Sequence, residues 1–366
     1  MKNKILIISS EFPPGPGGIG SHASNLSSQL HKRGYQIIVN TKSDYVNENQ
    51  ETMFDLKCPY EIIRFKRRKS ILQTWIHRLK IIRSTIIKYN IKNVIVSGEF
   101  SIWTIPILKI YSDIKITTII HGTELAQNWY KQWTLFCLRK SNKIIAVSNF
   151  TKSLIPKTLK FNTHVINNGL NVEEWSETKG KFTLKNYPIL LTVGSISLRK
   201  GQYNVIKALP QIIKDFPLTH YHCVGDIRDK RSILDLIKDL RLNDKVTLHG
   251  ILKHSELENM YKIAHVNMML SNNNSNKDFE GFGISVLEGN IYGTPAIGAW
   301  ESGTEDAIKN YYNGELVNPN NIKDVIGSLK SIYMNYDNYV AQSRSHAMNN
   351  DWDEKMNQYE ELIQQK

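Results

Sequence analysis

The sequence predicts an α/β protein of two doubly wound domains, each a parallel sheet with helices packed on it. Three observations lead there. Short apolar runs alternate with helix-length segments. The alternation stops in a polar stretch, residues 173–186, and then begins again. The 366 residues suit two domains at roughly 150 residues each. Residues 4–9 (Lys-Ile-Leu-Ile-Ile-Ser) are the short apolar run that a strand buried on both faces requires. After a Pro/Gly loop, a helix is expected over 21–33, with Ala23, Leu26 and Leu30 on one face and Gly34 as its stop. Strands over 36–40, 93–97, 115–120 and 143–147 complete a first domain, residues 1–175. Strands over 188–194, 219–224, 245–248 and 266–270, with helices over 202–215, 229–240, 256–263 and 284–291, build a second, residues 187–349. A last helix is expected over 353–365. Ligands of open α/β sheets bind beyond the carboxyl ends of the strands, so the site is expected in a cleft between the domains.

Composition removes several classes. Hydrophobic residues make up 41% and aromatic residues 10%, which supplies packed cores and excludes a disordered chain. Cys58, Cys137 and Cys223 are far apart and match no disulfide or zinc pattern, so a reducing cytoplasmic compartment is expected. No apolar run approaches the ~18 residues of a spanning helix. The net charge is +13, and residues 1–180 carry 26 Lys and Arg against 12 Asp and Glu, the remainder 21 against 22. Eleven basic residues fall within 57–92, beside the single acid Glu61. Such a patch attracts phosphates, whether on nucleic acid, anionic lipid or a lipid-linked substrate.

The strongest motif is Glu280-Gly281-Phe282-Gly283, leading into an apolar helix that carries a second acid, Glu288, and stops at Gly293-Thr294-Pro295. The first amides of such a helix lack partners and favour an anion. Two carboxylates eight residues apart stand about 12 Å apart along a helix, enough to bracket a diphosphate and hold hydroxyls on either side. Arg199-Lys200-Gly201, between a strand and a helix, suits a phosphate clamp. The loop from Glu11 to Gly20 contains Gly15, Gly17 and Gly20 in a G-x-G-x-x-G pattern with Asp44 downstream, a dinucleotide fingerprint that Pro13, Pro14 and Pro16 weaken. His121-Gly-Thr-Glu124 follows an apolar strand and sets His121 at a carboxyl end. Asp351-Trp-Asp353 spells a metal–diphosphate motif, but a place before the last helix favours capping. No other cluster suggests a metal, and none is expected.

Together these residues resemble the retaining family 4 glycosyltransferases, which have the GT-B fold of two Rossmann-like domains facing across a cleft. The likeness runs from the Pro-Pro-Gly-Pro-Gly-Gly loop through His121-Gly122, Val147-Ser148, Asn168-Gly169-Leu170, Arg199-Lys200-Gly201 and Glu280…Glu288 to Ser302-Gly-Thr-Glu305. It implies that Glu280 holds donor-sugar hydroxyls and Glu288 the ribose, with Gly281, Phe282 and Gly283 shaping the donor site. Arg199 and Lys200 would take the diphosphate, Gly17 and Gly18 would lie near donor phosphates and acceptor, and His121 beside the transferred sugar. The family arginine after the Val-Gly strand end is here Ser195. The resemblance further implies a UDP- or GDP-sugar donor and no cofactor. The acceptor would be a saccharide, lipid-linked as in O-antigen or capsule synthesis. The C-terminal helix, 350–366, would return to the first domain. Arg64, Lys66, Arg67, Arg68 and Lys69 precede, and Trp75 and Arg78 lie within, an amphipathic basic helix that begins at Ile71, read equally as a membrane or acceptor patch on the inner face of the membrane and as an ordinary packed helix. Two rivals stay open: a nicotinamide-dependent oxidoreductase using the Gly15–Gly20 loop, and a nucleic-acid binder using 57–92.

Overall fold

The computed structural model describes residues 3–43, 48–111, 113–126, 130–175, 183–197, 200–228, 230–271 and 280–364. It divides into two compact units: residues 1–168 with 352–366, and residues 169–351.

The first unit holds a seven-stranded sheet of β1 (Lys4–Ser9), β2 (Gln36–Ser43), β3 (Glu61–Lys66), β4 (Asn93–Ser97), β5 (Lys115–Ile120), β6 (Lys143–Ala146) and β7 (Thr163–Val165). The spatial order is β3-β2-β1-β4-β5-β6-β7, and every pairing is parallel. The order reverses between β1 and β4, which places the topological switch at their carboxyl ends. Central strands are buried on both faces, which is why β1 reads as an unbroken apolar run and β5 carries only its two threonines, Thr117 and Thr118, among buried isoleucines.

The first helix, Gly18–Lys32, starts three residues earlier than the sequence suggests. Gly17 caps it at φ 150°, where a Cβ would run into the Glu11 carboxylate. The last helix, Trp352–Gln364, belongs to this unit and buries Trp352, Met356, Tyr359 and Leu362. Arg33 fastens it to the first helix, with ion pairs to Asp353 (2.7 Å) and Glu360 (2.9 Å).

The second unit holds β8 (Ile189–Val193), β9 (His220–Val224), β10 (Val246–Gly250), β11 (Val266–Met269), β12 (Ala296–Ala299) and β13 (Gly314–Val317), in the order β10-β9-β8-β11-β12-β13 and again all parallel. Its switch point lies between β8 and β11. Helices Gln202–Asp215 and Ile322–Met334 bury Ile206, Leu209, Leu329 and Ile332 in one core with Leu190, Tyr221 and Met268.

Three expectations need correction. The interval 173–186 is not wholly linker. Trp175 packs on His254, Tyr261 and Tyr292 at centroid distances of 4.8, 5.9 and 6.1 Å, so one aromatic ring ties the start of that interval to the second unit. Arg64 is not part of an exposed patch. It lies on β3, with its guanidinium bonded to Asp55 at 2.8 Å and its side chain only 9% exposed. Arg78 is buried as well, donating to Phe100 O (2.9 Å) and Ser101 Oγ (2.8 Å) over the Phe65 ring. Burial without a counter-charge lowers its pKa to about 9. Trp75 is half-buried against Trp103, whereas Lys66, Arg67, Arg68 and Lys69 are exposed.

Candidate active site

In the second unit the candidate side chains gather at the β8/β11 switch. The chain leaves β8 through Gly194 (φ 143°) and Ser195, and Gly201 (φ 83°) caps helix Gln202–Asp215. A Cβ on Gly201 would meet the Leu270 carbonyl, so glycine alone lets this loop lie across the end of β11. That close approach aims Lys200 at Glu280, and their Nζ and Oε2 stand 2.6 Å apart in a largely buried pair. Arg199 lies outside the described residues, as does Asp44.

Glu280 is 6% exposed. Its carbonyl accepts from the Gly303 amide at 2.9 Å, and Gly303 packs so closely on Gly281 that a Cβ would not fit. The Ser302-Gly-Thr-Glu305 turn is therefore the floor under the Glu280 segment. Phe282 is buried beside it, and Gly283 (φ 92°) caps helix Ile284–Ile291. The amide end of that helix and the Lys200 ammonium give one region two sources of positive potential. Glu280 precedes the helix rather than standing on it, so the two carboxylates are not spaced along one helix as expected; Glu288, about one turn in, accepts from the Tyr261 hydroxyl at 2.6 Å, and burial raises its pKa. Tyr261 comes from helix His254–Ile263 and belongs to none of the sequence motifs.

In the first unit, His121 follows β5 and is 9% exposed. Its Nε2 is 3.0 Å from Ser97 Oγ at the end of β4, and its ring meets His22 edge-to-face at 5.1 Å. Burial lowers its pKa to about 4, so the imidazole is neutral at physiological pH. His22 in turn bonds Tyr359 Oη at 3.0 Å and touches Trp352, so the last helix backs this corner. Gly17 and Gly18 open the first helix of the same unit.

The Asp351-Trp-Asp353 motif is split. Asp351 Oδ2 accepts from the Val172 amide within the second unit, whereas Asp353 pairs with Arg33 in the first. The two carboxylates thus serve different units, as local structure rather than one binding motif.

Two family profiles divide the chain: "Glycosyltransferase Family 4" matches residues 16–174 and "Glycosyl transferases group 1" residues 174–350. The chain belongs to the family 4 glycosyltransferases. As a family 4 glycosyltransferase it uses a nucleotide-sugar donor. It is 23% identical to a glycogen synthase of Mycobacterium tuberculosis over 94% of this chain and 89% of that one. It is 24% identical to a GDP-mannose-dependent phosphatidylinositol monomannoside mannosyltransferase of Corynebacterium glutamicum over 83% and 82%. Among solved structures, the sucrose-phosphate synthase of Thermosynechococcus elongatus superposes with a TM-score of 0.79 at 18% identity, covering 99% and 98% of the two chains. The Anabaena protein HepE, crystallised with UDP and glucose, gives 0.78 at 16% identity over 98% and 99%. These likenesses establish the GT-B architecture for both units.

Proposed function

We propose that this glycosyltransferase is a retaining, metal-independent enzyme whose second unit binds the donor through Lys200, Glu280–Gly283 and Glu288. The observation that carries the reading is the buried Lys200–Glu280 pair beside the amide end of helix Ile284–Ile291. A cation and a carboxylate held together at a helix start match the two ends of a sugar diphosphate: phosphate oxygens for the first, sugar hydroxyls for the second. When the bond from the anomeric carbon to the diphosphate breaks, negative charge gathers on the leaving phosphate and positive charge on the sugar ring. Lys200 and the helix amides stabilise the former, and Arg199 adds a second cation. The acceptor hydroxyl attacks from the face the diphosphate leaves and passes its proton to the departing phosphate oxygen. A glycoside with retained configuration and a nucleoside diphosphate result. Glu288, with Tyr261 on one oxygen, holds the ribose hydroxyls. His121 stands beside the transferred sugar as a neutral hydrogen-bonding group, and Gly17 and Gly18 let the chain approach closely.

The acceptor in this reading is a saccharide, lipid-linked, and the enzyme sits on the cytoplasmic face of the membrane. Among the described residues no helix is long and apolar enough to cross it. Surface contact is supported by the exposed Arg67, Arg68 and Lys69 next to Ile71 and Leu72, which are 74% and 70% exposed. Binding to vesicles containing anionic lipid at moderate salt, lost on replacing Arg67, Arg68 and Lys69 with Ser, is expected. Indifference to the vesicles removes this part of the reading.

Relatives differ in donor: one is named for GDP-mannose, and a structural neighbour was crystallised with UDP. Calorimetry with UDP and GDP in the absence of divalent metal decides between them. One nucleotide should bind, and Glu288→Ala should weaken it by about 1.5–3 kcal/mol, the value of a hydrogen bond to a charged group. Binding of neither, or binding unaffected by the substitution, contradicts the donor assignment.

A further inference from the structure

We propose that Glu124 is a positioning residue for His121, fixing the His121-Gly122 turn from inside the protein. The inference rests on the reading of His121 given above. Glu124 sits three residues beyond His121, in a single 3-10 turn, and has no exposed surface. Its Oε2 accepts from the His121 amide at 3.0 Å and from the Gly122 amide at 2.9 Å. Gly122 has φ 108°, a conformation that leaves the turn dependent on such bonds rather than on intrinsic backbone preference.

A buried carboxyl group is a costly way to close a turn, because it loses its hydration. Among the described residues no cation acts on Glu124 and its other oxygen, Oε1, has no hydrogen-bond partner, while Glu99 nearby adds a like charge. Burial accordingly raises its pKa to about 7. A turn of this kind needs only an acceptor for two amides, so the carboxyl is better explained by what it holds still. His121 is gripped on three sides: Ser97 on Nε2, His22 on the ring, and Glu124 on its own amide. The first two act on the imidazole. Glu124, with the Leu125 amide on the Gly122 carbonyl at 2.9 Å, acts on the backbone from which the imidazole projects.

The test compares Glu124→Gln, which keeps a side-chain oxygen for both amides, with Glu124→Ala, which keeps none. The first readout is the NMR signal of the His121 imidazole, with His265 of the second unit as an internal control. Glu124→Ala should shift the His121 signal and leave His265 in place, and Glu124→Gln should restore it. The second readout is release of nucleoside diphosphate from UDP-glucose, UDP-N-acetylglucosamine and GDP-mannose. Displacing a group at the reaction centre by an ångström costs about 10²-fold, so a loss of that order is expected in Glu124→Ala, with most of it recovered in Glu124→Gln. In a His121→Ala background Glu124→Ala should cost nothing more, because its effect passes through His121. A His121 signal unmoved in Glu124→Ala, or losses that multiply in the double variant, overturns the inference. If His121→Ala itself retains full turnover, the reading of His121 fails instead, and the inference with it. If His121→Ala is inactive and Glu124→Ala is not, the site stands and only the inference falls.

Discussion

The corner of the first unit around His121, after β5, and the corner of the second around Lys200, after β8, each lie near the switch point of a parallel sheet and are built on opposite physics. Around His121 the groups are buried and their charges suppressed: His121 is pushed down to about 4, and Glu124 and Glu99 are pushed up to about 7. Around Lys200 a cation and a carboxylate face each other at 2.6 Å, and three glycines at positive φ bring backbone amides to bear. The difference teaches where each unit's rigidity comes from. The first corner is fixed by side chains arriving from far along the chain, as when Tyr359 reaches His22. The second is fixed by close packing of backbone on backbone, with Gly201 against Leu270 and Gly303 against Gly281.

If that contrast is right, the first unit is the more vulnerable to a remote change. Trp352→Ala removes a fully buried ring from behind His22 and should cost about 3–5 kcal/mol. Calorimetric melting should show the loss in the first unit only; equal destabilisation of both would break the comparison. Glu280→Ala strikes the charged corner. Removing one preorganised contact to developing charge typically costs about 10²–10³ in kcat, and here the melting temperature should stay nearly constant because the packing of Gly201 on Leu270 and Gly303 on Gly281 holds the shape. A loss of stability as large as the loss of rate would mean that the ion pair is structural.

The smallest effect concerns pH. His121 takes up its proton only below its ordinary value, so the unfolded chain binds more protons between pH 6.5 and 4, and this group makes stability fall on acidification. Glu124 acts in reverse: between pH 4.5 and 7 the folded state holds the extra proton, so stability falls as pH rises. The two slopes oppose each other between pH 4.5 and 6.5. Glu124→Gln removes one of them, so denaturant midpoints should fall more steeply with acid than in the parent, by up to about 1.4 kcal/mol per pH unit. Unchanged pH dependence would mean that Glu124 is not the proton holder.

How much of this was legible in the sequence depended on how local the cause was. Strands with unbroken apolar runs, β1 and β8 among them, announced themselves. β12 (Ala-Ile-Gly-Ala) and β13 (Gly-Glu-Leu-Val) did not, because small residues and a glutamate hide a buried strand; Glu315 is tolerated there because Tyr339 Oη lies 2.6 Å away. β3 was lost inside a basic run, since burial of Arg64 and Arg78 depends on partners 9 to 51 residues distant. At the site, Glu280, Lys200 and Glu288 stood out through motif spacing. Tyr261 was invisible, since it meets Glu288 from another helix. Glu124 was in plain view within His-Gly-Thr-Glu, yet the letter E does not disclose that its carboxylate turns back on its own backbone.

The last helix also imposes an order on biosynthesis. Residues 352–364 emerge from the ribosome after all of residues 169–351, so the second unit has its entire chain available while the first still lacks Trp352 and Tyr359. The first unit, although begun first, is finished last. Until then His22 lacks the Tyr359 hydroxyl and the surface beneath the last helix is bare. A nascent chain stalled short of residue 352 therefore carries a complete second sheet beside an exposed apolar seam, the kind of surface that recruits holding chaperones. The His121 corner is completed only by a segment that follows the whole second unit in the chain.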